Sequence, residues 1–256
     1  MKKINSASVI DLKKIKAACQ DCSLRELCLP LGLAEPDVSS MQDIIKRTRT
    51  LTKGEFLYRV GDHLEGLYAI RTGTIKTSEI TREGHIQITG FHLPGELLGI
   101  DAISNDKHPC DAVALETTVV CEIALDDLED LARKLPGLQR QLLRIMSREI
   151  VQDEALLLML GKMNADARLA GCLLNLSERF QKLGFSGTHF KLTMSRQDLG
   201  DYLGLALETV SRLFTRFQEE TLIKVDGRQV ELLDIKRLQG LMGESQHLLS
   251  KSRPVA

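Results

Sequence analysis

No apolar run in these 256 residues is long enough to span a bilayer; the longest, ALLLMLGKM, makes a few turns of helix at most. The amino terminus, MKKINSASVIDLKKIKAAC, is basic but lacks the continuous apolar core of a secretory signal. Internal repeats and low-complexity tracts are absent, and 43% hydrophobic content beside 27% charge describes a globular chain, neither disordered nor fibrous. A net charge of −1 gives no global sign of nucleic-acid affinity. There is no nucleotide-binding glycine loop and no nucleophile elbow. His63, His85, His92 and His108 are scattered without metal-ligand spacing. An enzyme is therefore not expected. The expected compartment is the cytoplasm, where thiols stay reduced unless a metal or catalysis uses them.

What the sequence does have is cysteine in an unusual place. The stretch ACQDCSLRELCLP sets Cys19, Cys22 and Cys28 in a C-x2-C-x5-C spacing. A disulfide framework needs an even number and an oxidising compartment. A metal site needs a fourth ligand, and Cys110, Cys121 and Cys172 compete for that place.

The length suits two modest cores. A short helix-like segment, EPDVSSMQDIIKRTR, follows the cysteines. From about Leu51 to Ala124, β-branched runs such as LYAI, TIKTSEI, HIQITGF and TVVCEIAL alternate with glycine turns, which predicts a β-sandwich or jelly roll. A long helix is predicted from about Gly137 to Met163, then a loop at Gly184–Gly187, a compact helical and hairpin region over Phe190–Leu233, and a frayed tail, GESQHLLSKSRPVA. From Lys162 onward 14 lysines and arginines face 11 aspartates and glutamates, a mild basic bias.

Within that region, MSRQDLGDYLGLALETVSRLFTRF reads as two helices around a tight turn. Ser195 and Asp198 form a start resembling a capping box. Leu199, Tyr202 and Leu203 give the first helix an apolar face, and Gly204 can take the positive φ of the turn. The second helix buries Val210, Leu213, Phe214 and Phe217. Glu208, Ser211 and Arg212, at i, i+3 and i+4, project together from its other face. Such a trio suits the major groove: Arg bonds guanine O6 and N7, Glu accepts from cytosine N4, and Ser approaches either edge. Downstream, LIKVDGRQVELLD reads as two strands joined by Asp226-Gly227, making the unit a winged helix.

These residues resemble the Crp/Fnr transcription regulators, and within them the Fnr/Anr branch. The resemblance covers nearly the whole chain and is carried by CQDCSLRELCLP, LYAIRTGTIKT, QITGFHLPGEL, ALETTVVCEI, LMLGKMNADARLA and YLGLALETVSRLFTRFQ. It implies an α+β fold: an amino-terminal β-roll (a jelly roll like the cyclic-nucleotide-binding domain), a long dimerisation helix and a winged helix-turn-helix. The expected boundaries are a cluster-binding segment at 1–50, the sensory roll at 51–135, the dimer helix at 136–163, the DNA-binding domain at 164–240 and the tail at 241–256.

Thiolate is the usual ligand of iron–sulfur clusters, and a [4Fe–4S] cube takes one ligand per iron. The resemblance implies such a cluster on Cys19, Cys22 and Cys28, with Cys121 in TTVVCEIAL as fourth ligand. A structural zinc site is the alternative, although zinc sites favour paired C-x2-C units. It would accompany a Crp-type regulator answering to another small ligand. Cyclic nucleotide itself is disfavoured. Gly95-Glu96 are present, but SNDKHPCDAVALE offers no Arg for the phosphate, and Asp111 would repel it. Glu96 then reads as a turn residue.

The mechanism implied is dimerisation and DNA binding without oxygen, release on cluster conversion, and contact with RNA polymerase through surface loops. It further implies palindromic TTGAT half-sites, with Leu207 standing where Crp has an Arg. On the long helix, Leu143, Met146, Ile150, Asp153, Leu157 and Leu160 follow alternating steps of three and four, the seam of a two-stranded coil. Ile150, Asp153 and Leu157 are the expected dimer switch, with the Asp153 carboxylate facing its symmetry mate.

Overall fold

A computed structural model describes Cys19, residues 22–25 and residues 27–243. The stretch before Cys19 and the tail from residue 244 lie outside those residues. The first helix, α1 (Glu35–Asp43), is followed by eight strands: β1 (Ile45–Leu51), β2 (Phe56–Tyr58), β3 (Gly66–Thr72), β4 (Ile75–Ile80), β5 (Ile86–His92), β6 (Leu97–Leu98), β7 (Asp111–Ala114) and β8 (Thr118–Ala124). They form two antiparallel sheets, β1-β8-β3-β6 and β2-β7-β4-β5. Alternate residues point inward, so Leu51, Tyr68, Ile70 and Val120 meet Tyr58, Ile75 and Ala112 in one core between the sheets.

The helix-like reading of EPDVSSMQDIIKRTR holds only to Asp43. From Ile45 the chain is strand β1, pairing along β8 from Ile45↔Ile123 to Leu51↔Thr118. Its charged residues conceal the strand because Lys46 and Arg47 lie exposed side by side at a register shift, which breaks the alternation. Arg47 Nε donates to Glu122 across the sheet at 2.9 Å.

The outer face of the β1-β8-β3-β6 sheet carries a second core. Leu29, Leu33, Val38 and Met41 from the amino-terminal segment pack there with Leu67, Ala69, Leu97 and Ile123. Leu128 of α2 (Leu125–Lys134) and Leu138 and Ile145 of α3 (Pro136–Lys162) complete it. Pro136 opens α3 at a position where its missing N–H costs nothing.

At Met163 the chain turns extended, and Asn164 caps α4 (Ala165–Lys182) by accepting from the Ala167 N–H at 2.9 Å. Arg168 then clamps three helices, donating to the carbonyls of Leu160, Met163 and Leu203 at 2.7, 2.9 and 2.9 Å. The remaining elements are β9 (His189–Lys191), α5 (Arg196–Leu203), α6 (Leu207–Glu219), β10 (Ile223–Asp226), β11 (Gln229–Leu232) and α7 (Ile235–Leu241). They share a third core, which includes Leu173, Leu199, Leu203, Val210, Phe214, Phe217 and Val230.

Candidate nucleic-acid interface and thiol site

The capping box is fully formed at the start of α5. Ser195 Oγ accepts from the Asp198 N–H at 3.0 Å, and the Asp198 carboxylate accepts from the Ser195 N–H at 2.8 Å. Gly204 ends the helix at φ 62°, the left-handed conformation the turn requires. On α6, Val210, Leu213, Phe214 and Phe217 are buried, which leaves Glu208, Ser211 and Arg212 exposed together on the opposite side. The wing departs from expectation in register. Asp226 pairs with Gln229, so the two-residue turn is Gly227-Arg228, and Asp226 ends β10. Gly227 supplies the positive φ at the first turn position. A third strand, β9, joins by pairing with β11.

At the other end of the molecule, the strand parity of β8 sends Val120 inward and Cys121 outward. There Cys121 flanks the same apolar cluster as Cys19 and Cys28, whose loop is a series of tight turns bonded from Cys22 to Cys19, Arg25 to Cys22 and Cys28 to Leu24. All four thiols are free and partly exposed. Burial pushes Cys19 up to about 11, with the charge of Cys121 and then Cys22 adding to it. Burial likewise pushes Cys28 up to about 12 and raises Cys121. Arg71 opposes the rise at both Cys19 and Cys121. This arginine was not singled out in the sequence; its one signal is its place two residues beyond Ala69, the partner of Cys121 across the sheet.

Cys110 and Cys172 lie elsewhere. Cys110 is buried between the sheets and donates to Asp101 at 3.5 Å; Cys172 is buried in the carboxy-terminal core, its thiol pushed up to about 12 by burial. Among the described residues, no three His, Cys, Asp or Glu side chains converge closely enough to hold a single metal ion. Cys19, Cys28 and Cys121 flank one apolar cluster, and each thiol is raised by its burial there. A tetrahedral zinc would need sulfurs about 2.3 Å from one centre, whereas a cube with an iron at each ligated corner takes thiolates spread around it. Four soft sulfur donors, with a cation beside them, fit an iron–sulfur cube. Of the histidines, His108 stacks on Tyr58 at 3.6 Å between ring centres and His92 bonds Thr77 at 3.0 Å, while His63 and His85 are exposed.

Glu96 does more than shape its turn. It accepts from the Leu93 N–H at 3.0 Å, but Arg179 of α4 also grips both its oxygens at 3.0 and 2.6 Å and donates to the Phe91 carbonyl. Lys76 of β4 pairs with Asp198 at 2.5 Å, which ties the roll to the capping box of α5. Asp111 accepts from the Val60 N–H at 2.8 Å.

A β-roll joined by a long helix to a winged helix-turn-helix with an exposed polar trio defines a class, the DNA-binding regulators of transcription. Residues 48–134 match the cyclic nucleotide-binding domain family, and residues 167–241 match the Crp-like helix-turn-helix domain family. The chain is 52% identical over 230 residues to the transcriptional activator protein Anr of Pseudomonas protegens, covering 90% of this chain and 94% of that one. It is 50% identical over 225 residues to the fumarate and nitrate reduction regulatory protein of Yersinia pestis, covering 88% and 90%. Among solved structures, FixK2 of Bradyrhizobium japonicum is similar with a TM-score of 0.71 and 32% identity, over 76% of this chain and 96% of that one. The chain belongs to the Crp/Fnr family of transcription regulators. No helix among the described residues is long and apolar enough to cross a membrane.

Proposed function

We propose that this chain is a cytoplasmic, oxygen-responsive regulator that holds a [4Fe–4S] cluster on Cys19, Cys22, Cys28 and Cys121. Without oxygen it dimerises through α3, with Ile150, Asp153 and Leu157 as the switch. The dimer binds palindromic TTGAT half-sites through Glu208, Ser211 and Arg212, and contacts RNA polymerase to activate or repress anaerobic genes. The proposed working divisions are 1–50, 51–135, 136–163, 164–240 and 241–256. The Anr and Fnr names of the relatives support this reading.

The observation that carries it is the gathering of Cys19, Cys28 and Cys121 around the apolar cluster that also seats the root of α3. The cluster's chemistry is an oxygen-labile link between the amino-terminal loop and β8. The rest is done by side chains. Leu29 and Leu33, which follow the thiol loop directly, pack with Leu138 and Ile145 of α3, and Leu33 lies against Gly137. Tethering the loop therefore steadies the base of the helix whose far stretch forms the seam. Nucleotide sensing is disfavoured, because Glu96 is taken by Arg179 and SNDKHPCDAVALE carries no arginine.

The test is anaerobic purification with iron and sulfide analysis and an absorption spectrum before and after air. About four iron and four sulfide per chain are expected. Bound zinc would overturn the reading.

A further inference from the structure

A cavity of about 620 Å³ lies between the β4–β5 hairpin, α3 and α4, and five carboxylates line it: Glu79, Glu96, Asp101, Glu149 and Asp153. Among the described residues its wall carries one guanidinium, Arg179, whose bonds go to Glu96, Asn175 and the Phe91 carbonyl. The cavity therefore keeps an excess of negative charge, which repels anions and attracts cations. A bare metal ion does not fit, because among the described residues no three of these acids converge on one point. Much of the remaining wall is apolar, with Ile88, Leu97 and Leu156. Tyr58, also on that wall, is 4% exposed, and its hydroxyl has no hydrogen-bond partner among the described residues, only the Cys110 thiol beside it. A buried hydroxyl left without a partner is costly unless a ligand meets it.

We propose that this cavity binds an organic dication of the α,ω-diamine type, with its ammonium groups on separate carboxylates and its methylenes along the apolar wall. Glu149 and Asp153, one turn apart on α3, hold one ammonium. Asp101 holds the other, and the Tyr58 hydroxyl accepts from it. The site needs neither the thiols nor DNA. Its pH dependence follows from Glu149, which burial, with Glu96 and Asp153 adding and Arg179 and Arg148 opposing, pushes up to about 7. Asp153 is raised by burial and by Asp101. His92, pushed down to about 4 by burial, stays neutral, and burial keeps the protons on Tyr58, Tyr202, Cys110 and Cys172.

The test is calorimetric titration of the full chain, prepared anaerobically, with cadaverine, pentanediol and glutarate, three chains of equal length that are dicationic, neutral and dianionic. Cadaverine alone should bind, and about tenfold more tightly at about pH 8 than at about pH 6, as Glu149 loses its proton. Glu149→Gln should lose about that factor at the higher pH and bind equally at both. Tyr58→Phe should weaken binding about fivefold, the value of one neutral hydrogen bond. Glu129→Gln, on the exposed side of α2, should change nothing. The inference is overturned if cadaverine does not bind, or if pentanediol or glutarate binds as well as it does. It is equally overturned if Glu149→Gln keeps the wild-type affinity and pH response, or if Glu129→Gln loses the same factor, which would mark diffuse attraction to an acidic surface. The comparison of the three probes on the wild-type chain is independent of how any variant folds.

Discussion

A thiol that burial lifts to about 11 or 12, as at Cys19 and Cys28, is protonated at neutral pH, so a metal must displace the proton in order to bind. Serine at Cys19, Cys22, Cys28 or Cys121 is expected to abolish cluster retention, because a hard hydroxyl replaces thiolate poorly. Serine at Cys110 or Cys172 should leave iron and absorption intact. A Cys172 variant without cluster beside a Cys121 variant that keeps it would refute the ligand set. Glu149 on α3 carries a second residue-scale expectation. Burial, with Glu96 and Asp153 adding and Arg179 opposing, pushes its carboxyl from 4.5 up to about 7. The folded state then holds this proton more tightly than the unfolded chain. The stability it contributes is complete below pH about 4.5 and is lost as pH rises through about 7. Thermal melts of Glu149→Gln should show a flatter pH dependence across that window than wild type. An identical slope would mean that other groups set it.

At the scale of elements, α6 is the part that function depends on most directly. Losing Arg212 should cost roughly 1–3 kcal/mol of binding and relax preference at the guanine of the half-site. Equal weakening on all duplexes, measured by titration, would show that Arg212 touches only phosphate. The pair α5 and α6 was also the most legible in sequence, because its signals are local: a capping box from Ser195 to Asp198 opening α5, a glycine at the turn, and four buried positions at helical spacing on α6. Local signals gave the wing as well, but placed its turn one residue early, since Asp-Gly and Gly-Arg both suit a two-residue loop and only pairing decides between them. Strand β1 was hidden because its charges mask the alternation. The Glu96–Arg179 contact was invisible because its partners lie 83 residues apart and meet only when α4 docks on the roll. For the thiols, spacing marked Cys19, Cys22 and Cys28, but no pattern in the residues separated Cys121 from Cys110 and Cys172. That separation depends on strand parity and on which core each side chain enters.

For the whole molecule, the free surface of α3 matters most. Leu143, Ile150 and Leu157 are 60%, 59% and 70% exposed, a row of large apolar side chains that a second copy would cover in a two-stranded seam. Asp153 stands in the same row, exposed to solvent, its carboxyl raised by partial burial and by Asp101. In a parallel pair each Asp153 meets its own copy, and two carboxylates at close range repel. In the proposed dimer, then, apolar burial favours association and the paired acids oppose it. A modest steadying of α3 through Leu29 and Leu33 can then decide the outcome. Asp153→Ala removes the opposition without touching the thiols. It should give a dimer that persists in air and DNA binding partly independent of the cluster, as read by sedimentation of the aerobic wild type and variant side by side. If the two sediment as monomers in equal proportion, the seam carboxylate is not the brake.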